Sequence, residues 1–166
     1  MNSPMSLIEA QGRQFKSLGL SLTAACNFTC GYCVPEGTTL RPSPNALDGE
    51  SLIRLVRLLD RVLGLEKIRL TGGEPLIAPN LRAVLEGLGD IKMPTSITTN
   101  GQFLAKYAQA LHDAGVKAVN VSLDALDPAA FDAMAGGGDV DSVLAGIEAS
   151  LALGQRINMN TVPMCS

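Results

Sequence analysis

Lys67-Ile68-Arg69-Leu70-Thr71-Gly72-Gly73-Glu74-Pro75 is the stretch that decides the fold. Lys67–Thr71 reads as a strand, and Gly-Gly-Glu-Pro ends it. Before it, a helix is expected from Asp48, a good N-cap, to Leu63, with Gly64 as its stop. Leu52, Leu55, Val56, Leu59, Val62 and Leu63 share one apolar face of that helix. After it, a helix is expected over 81–88, closed by Gly89.

The same unit recurs outward in both directions. Leu18–Thr23 reads as a first strand, followed by a cysteine-bearing loop and a Pro-rich stretch through Arg41-Pro42-Ser43-Pro44. Thr95–Thr99 reads as a third strand, 103–114 as a helix closed by Gly115, and Lys117–Leu123 as a fourth strand. Asp127-Pro128 opens a short helix, Gly136-Gly137-Gly138 breaks the chain, and Asp139 caps a helix to about Leu153. Arg156–Val162 reads as a fifth strand. Alternating strands and helices predict an α/β fold with about five parallel strands and outer helices. Residues 1–16 read as an irregular lead-in to a domain over 17–166. A closed eight-unit barrel needs about 250 residues, so five strands predict a partial, C-terminally incomplete barrel.

Four polar clusters fall at equivalent strand ends: Cys26–Cys33, Gly72–Pro75, Thr99–Gly101 and Ser122–Asp124. Sites in parallel α/β folds form at the C-terminal ends of strands, so the clusters point to one shared mouth.

Composition narrows the function. The chain has 166 residues, 46% hydrophobic and 17% charged, with a formal net charge of −3. This is a globular composition without the basic stripe that a nucleic-acid partner demands. No apolar run is long enough to cross a bilayer. Arg13 and Lys16 before Leu18–Cys26 give a faint likeness to a secretion signal ending in a lipidated cysteine. The segment is short and interrupted by Ser and Thr, which suits a strand better. Three of the four cysteines crowd into eight residues, a pattern of metal binding in a reducing, cytoplasmic compartment rather than of disulfides.

Cys26, Cys30 and Cys33 have the spacing C-x3-C-x2-C, which lets three thiolates serve one metal centre. Three is one short of the set that closes a typical [4Fe–4S] cluster, so one iron stays open. Zinc is the rival, although structural zinc takes four ligands. Cys165 and His112 are the other soft candidates; the first reads as an ordinary terminal thiol and the second as a helix-surface residue.

Cys26-Asn27-Phe28-Thr29-Cys30-Gly31-Tyr32-Cys33 resembles the C-x3-C-x-aromatic-C signature of radical S-adenosylmethionine (SAM) enzymes. Arg69–Leu76, Thr98-Thr99-Asn100-Gly101 and Asn120–Asp124 resemble successive landmarks of one subgroup, the GTP 3′,8-cyclases of molybdenum cofactor biosynthesis. The likeness covers about residues 17–162 and implies a TIM-like barrel of the radical SAM type. It implies that Cys26, Cys30 and Cys33 bind a [4Fe–4S] cluster whose fourth iron takes SAM. Gly72, Gly73 and Glu74 would line the SAM amino end, Tyr32 would lie beside cluster and SAM, and Ser122 would hydrogen-bond SAM. Beyond the cluster, no catalytic residue is assigned. The chemistry implied is reductive cleavage of SAM to a 5′-deoxyadenosyl radical, which takes hydrogen from the GTP ribose. Arg69 and Thr98 match positions that contact GTP. An electron donor such as flavodoxin or ferredoxin is implied, and a homodimer is allowed.

The substrate side departs from that pattern. Gly19 stands where the family has an arginine, Ala24-Ala25 where it often has Asp-Arg, and Asn158 where a lysine is expected. Each missing charge-assisted contact is worth about 1.5–3 kcal/mol. Three readings therefore stand: a GTP 3′,8-cyclase, a related radical SAM enzyme acting on a peptide or other small metabolite, and a non-catalytic fragment holding a cluster or zinc.

Overall fold

In a computed structural model, residues 15–34, 38 and 40–162 are described. Five strands, β1 (Ser17–Ser21), β2 (Lys67–Thr71), β3 (Thr95–Thr99), β4 (Val116–Ser122) and β5 (Arg156–Asn160), pair side by side in chain order, all parallel. Five helices connect them: α1 (Gly49–Leu63), α2 (Leu81–Leu88), α3 (Leu104–Asp113), α4 (Pro128–Ala135) and α5 (Val140–Ala152). Parallel crossovers are right-handed, so strands added in sequential order carry every helix to the same face. The result is a partial TIM-like barrel with its helices outside.

The two sheet faces differ as that geometry requires. Leu20, Ile68, Leu70, Ile97, Val119 and Val121 point toward the helices and are buried. The alternate residues form a polar concave face. Gly19, Arg69, Ser96 and Ala118 occupy one register row of it, and Thr98, Asn120 and Asn158 the next. Between Thr95 and Ser96 the β3–β4 register shifts, so Lys117 is an extra residue in β4. β4 starts one residue before the expected Lys117 because Val116 is buried and pairs with Thr95.

Local chemistry sets the helix ends. Asp48 accepts from Ser51 N, Asp127 from Ala130 N, and Asp139 from Asp141 N and Ser142 N. The expected apolar face of α1 is partly displaced. Leu55 and Val62 are exposed, and Ile53 is buried instead. Helix α2 crosses the N-terminal half of α1, and a Cβ on Gly87 would lie 2.6 Å from Ile53 Cγ1. Gly89 keeps a right-handed conformation after α2 rather than a left-handed cap. A short 3-10 turn, Pro75–Ile77, follows β2 and was not anticipated.

Strand ends also differ from expectation. β1 stops at Ser21, yet Leu22 N still donates to Thr71 O at 2.9 Å. β5 stops at Asn160 because the Thr161 hydroxyl turns to Leu123 O, at 2.8 Å. Among the described residues β5 pairs only with β4, and its Met159 is exposed. His112 lies on the surface of α3, as expected, beside Asp113. Cys165 and residues 1–14 of the lead-in lie outside the described residues.

Candidate functional site: a cysteine loop over the strand ends

The loop after β1 is tied to the end of β2. Gly73 N donates to Thr23 O and Glu74 N to Ala25 O, each at 2.8 Å. The two glycines are required by this contact. A Cβ on Gly73 would lie 2.3 Å from Ala25 O, and one on Gly72 would lie 2.5 Å from Thr23 O. Gly72 also has a φ of +149°, outside the range of ordinary side-chain-bearing residues. The close approach that the glycine pair permits is thus to the protein's own cysteine-loop backbone. Neither glycine carbonyl accepts a hydrogen bond among the described residues.

Glu74 has 1% of its surface exposed. Its Oε1 accepts from Leu76 N at 2.9 Å and from the Thr99 hydroxyl at 2.7 Å; its Oε2 accepts from Asn100 N at 2.7 Å. Desolvation raises its pKa, and the three hydrogen bonds oppose that rise. The carboxylate thereby joins the end of β2 to the end of β3, beneath the loops. The resemblance places this carboxylate at the SAM amino end; in the fold both its oxygens also accept from the chain's own donors.

Asn100 continues the link upward. Its amide nitrogen donates to Asn27 Oδ1 at 3.0 Å and lies 4.0 Å from Cys26 Sγ. The loop is also held from the other side by α4. Thr29 N donates to Ala135 O at 2.9 Å, and Phe28 meets Phe131 edge-on at 5.9 Å between ring centres. Gly136, with φ +66°, lies against Thr29, and Gly138 lies against the Phe28 ring. The triple-glycine break is therefore a contact surface for the cysteine loop.

Cys26 and Cys30 are half-buried and Cys33 is exposed. Desolvation raises the Cys26 and Cys30 thiol pKa values. Cys33 adds to the rise at Cys26, and Cys26 and Cys33 add to it at Cys30. A cationic iron core would favour the thiolate form that burial disfavours at Cys26 and Cys30, so loading such a core would release protons. Among the described residues, no three His, Cys, Asp or Glu side chains close on a single metal ion. A cubane takes each thiolate on a different iron, so its ligands surround a body rather than meet at a point. The donor set fits such a cluster.

Tyr32, between the second and third cysteines, donates to Asp124 Oδ2 at 2.7 Å, two residues beyond β4. Its phenol is held above its ordinary pKa by desolvation and then by Asp124, so it stays a donor. Ser122 ends β4 and is partly buried. Arg69 is exposed on the concave face and has no ion pair among the described residues; Thr98 lies one row further toward the mouth. Asn158, in place of the expected lysine, donates to Asn120 Oδ1 at 3.0 Å, and Asn120 donates to Ile97 O at 3.1 Å. That row carries an amide ladder and no charge. Asn100 and Asp124 were assigned no role from sequence. Their signal was a polar residue just past a strand end, inside motifs already singled out.

A parallel barrel fragment with three thiols at one strand end, and a Gly-Gly-Glu-Pro turn beside them, defines a class. The sequence profile described as the Radical SAM superfamily matches residues 20–165, and the chain belongs to that superfamily. Its members use a [4Fe–4S] cluster and SAM. GTP 3′,8-cyclase 1 of Pseudomonas aeruginosa is 43% identical over 164 residues, covering 95% of this chain and 48% of its own. GTP 3′,8-cyclase of Erythrobacter litoralis is 44% identical over 163 residues, with 95% and 48% covered. The chain thus spans about half the length of these curated relatives. Among solved structures, Streptococcus suis SuiB bound to precursor peptide SuiA superposes with a TM-score of 0.74 at 22% identity. That likeness covers 88% of this chain and 32% of SuiB. BtrN in complex with AdoMet and 2-DOIA gives 0.62 at 21%, covering 90% and 57%. At these identities the structural likeness concerns the fold.

Proposed function

We propose that this chain, with residues 17–166 as its core domain, is the cluster- and SAM-binding portion of a GTP 3′,8-cyclase in molybdenum cofactor biosynthesis. One observation carries the reading. The cysteine loop, the Gly-Gly-Glu-Pro turn, the end of β3 and the β4 rim are hydrogen-bonded into one mouth. The 43–44% identity to named cyclases supports the substrate.

Cys26, Cys30 and Cys33 would hold three irons, leaving the fourth for SAM. When bound, cluster and SAM supply the electron and the 5′-deoxyadenosyl radical. The chain's own residues orient and shield the reactants. Gly72, Gly73 and Glu74 would line the SAM amino end: among the described residues the two glycine carbonyls accept no hydrogen bond, and Glu74 also ties the turn to the end of β3. Tyr32 stands beside the cluster, and Ser122 offers its hydroxyl from the end of β4. Arg69 and Thr98 contact GTP from the concave face. An electron donor such as flavodoxin or ferredoxin, a cytoplasmic setting and a homodimer complete the reading. Among the described residues no helix is long and apolar enough to cross a membrane.

A second reading is a related radical SAM enzyme acting on a peptide or another small metabolite. The uncharged Asn158–Asn120 row, where a triphosphate would want a cation, favours it. Anaerobically reconstituted protein given SAM, dithionite and GTP separates the two. The cyclase reading expects 5′-deoxyadenosine and GTP loss together. Deoxyadenosine formed with GTP intact would support the second reading.

A further inference from the structure

The cysteine loop is fastened unevenly. Its start is bound to the β2 end through Ala25, and its middle to α4 through Phe28 and Thr29. From Gly31 to Val34, one hydrogen bond among the described residues reaches another element: Tyr32 Oη to Asp124 Oδ2, at 2.7 Å. The backbone here is a tight turn, with Cys33 N and Val34 N both donating to Cys30 O, at 2.9 and 3.0 Å. Tyr32 is the apex of that turn and carries Cys30 and Cys33 on either side.

Asp124 is itself held firmly. Its second oxygen accepts from Val162 N at 2.9 Å. Leu123 N donates to Asn160 O at 3.0 Å, and the Thr161 hydroxyl donates to Leu123 O at 2.8 Å. One carboxylate thus spans three segments: the β4 exit, the β5 exit and the cysteine turn. A charge-assisted bond from a phenol is stronger than a neutral one. Tyr32 is 44% exposed, and among the described residues this is the hydrogen bond that ties its side chain to another element.

We propose that Asp124 is a positioning residue of the cluster site: through the Tyr32 hydroxyl it fixes the Cys30–Cys33 turn against the β4–β5 rim. The role rests on the reading of this loop as a cluster and SAM site. The two oxygens of Asp124 are engaged by Tyr32 and Val162, and through the former it sets where two of the three thiolates and the Tyr32 ring stand.

The test is a double-mutant cycle with Tyr32→Phe, Asp124→Ala and the pair, read two ways. In the full chain without iron, hydrogen exchange at the Cys33 and Val34 amides should quicken about tenfold in each single variant. The double should be no faster than either single, because both remove the same bond. Tyr32→Phe deletes one oxygen on an exposed ring and keeps the fold. In reconstituted protein the SAM dissociation constant should rise by a similar factor in all three, with iron content unchanged. Unaltered exchange, or single effects that multiply in the double, overturns the brace. Faster exchange with unaltered SAM affinity overturns the positioning role. A wild-type chain that took up no cluster would overturn the proposed function and with it this role. The exchange cycle would still decide the Tyr32–Asp124 brace.

Discussion

Glu74 is the residue on which two strand ends depend. Three donors meet its two oxygens in a site closed to water. Glu74→Gln keeps the size but turns one acceptor into a donor facing Asn100 N or Thr99. A buried donor without a partner costs about 1–3 kcal/mol, and urea unfolding should show a loss of that order. The β3 loop would also shift under Asn27, so cluster retention, read as iron per chain, should fall as well. Gly73→Ala should do similar damage by a different cause. Its Cβ would enter the Ala25 carbonyl, and overpacking of this kind costs about 1–3 kcal/mol. A Gly73→Ala chain as stable as wild type would mean that the β1 loop moves freely. The motif residues were legible in the sequence by their types and spacing. What they touch was not. Nothing in a Gly-Gly pair announces that it also abuts a neighbouring loop carbonyl, and a carboxylate carries no sign of which backbone donors will meet it.

At the level of elements, periodicity served well where one partner decides the buried face. Strands Lys67–Thr71 and Thr95–Thr99 lie where their pattern put them. Helix α1 shows the limit. Leu55, Leu58 and Val62 are as apolar as Leu52 and Val56 but stay exposed, because α2 packs on the side of the helix that carries Gly49 and Ile53. Crossing position depends on tertiary packing, and here on Gly49 and Gly87, where Ala83 and Ile53 press in. The α3–α5 pair makes the same point in a testable form. Gly146 is buried in α5, and a Cβ there would lie 2.7 Å from Leu104 Cβ. Alanine is a better helix former by about 1 kcal/mol, so propensity alone predicts that Gly146→Ala stabilises. Packing predicts the reverse, a net loss of up to about 2 kcal/mol. A lower urea midpoint with an unchanged slope would identify packing as the stronger effect.

For the whole molecule, sequential strand order gathers every loop with chemistry at one end of the sheet. The concave face below that mouth is polar and carries Arg69, with the uncharged row of Thr98, Asn120 and Asn158 above it. If GTP is the substrate, Arg69→Ala should weaken its binding by about tenfold or more, since one charge-assisted contact is lost. SAM cleavage should persist, because Arg69 lies a row away from the strand ends. Equal GTP affinity in the variant would move the triphosphate elsewhere. The central claim is narrower than the substrate: three thiolates hold a [4Fe–4S] cluster with one iron open to SAM. It is tested most directly by electron paramagnetic resonance of the chain, reconstituted anaerobically with iron and sulfide and then reduced. The account predicts a [4Fe–4S] signal that changes on adding SAM and disappears in Cys30→Ala. Stoichiometric zinc with no cluster, or a signal indifferent to both SAM and the Cys30 substitution, would contradict it.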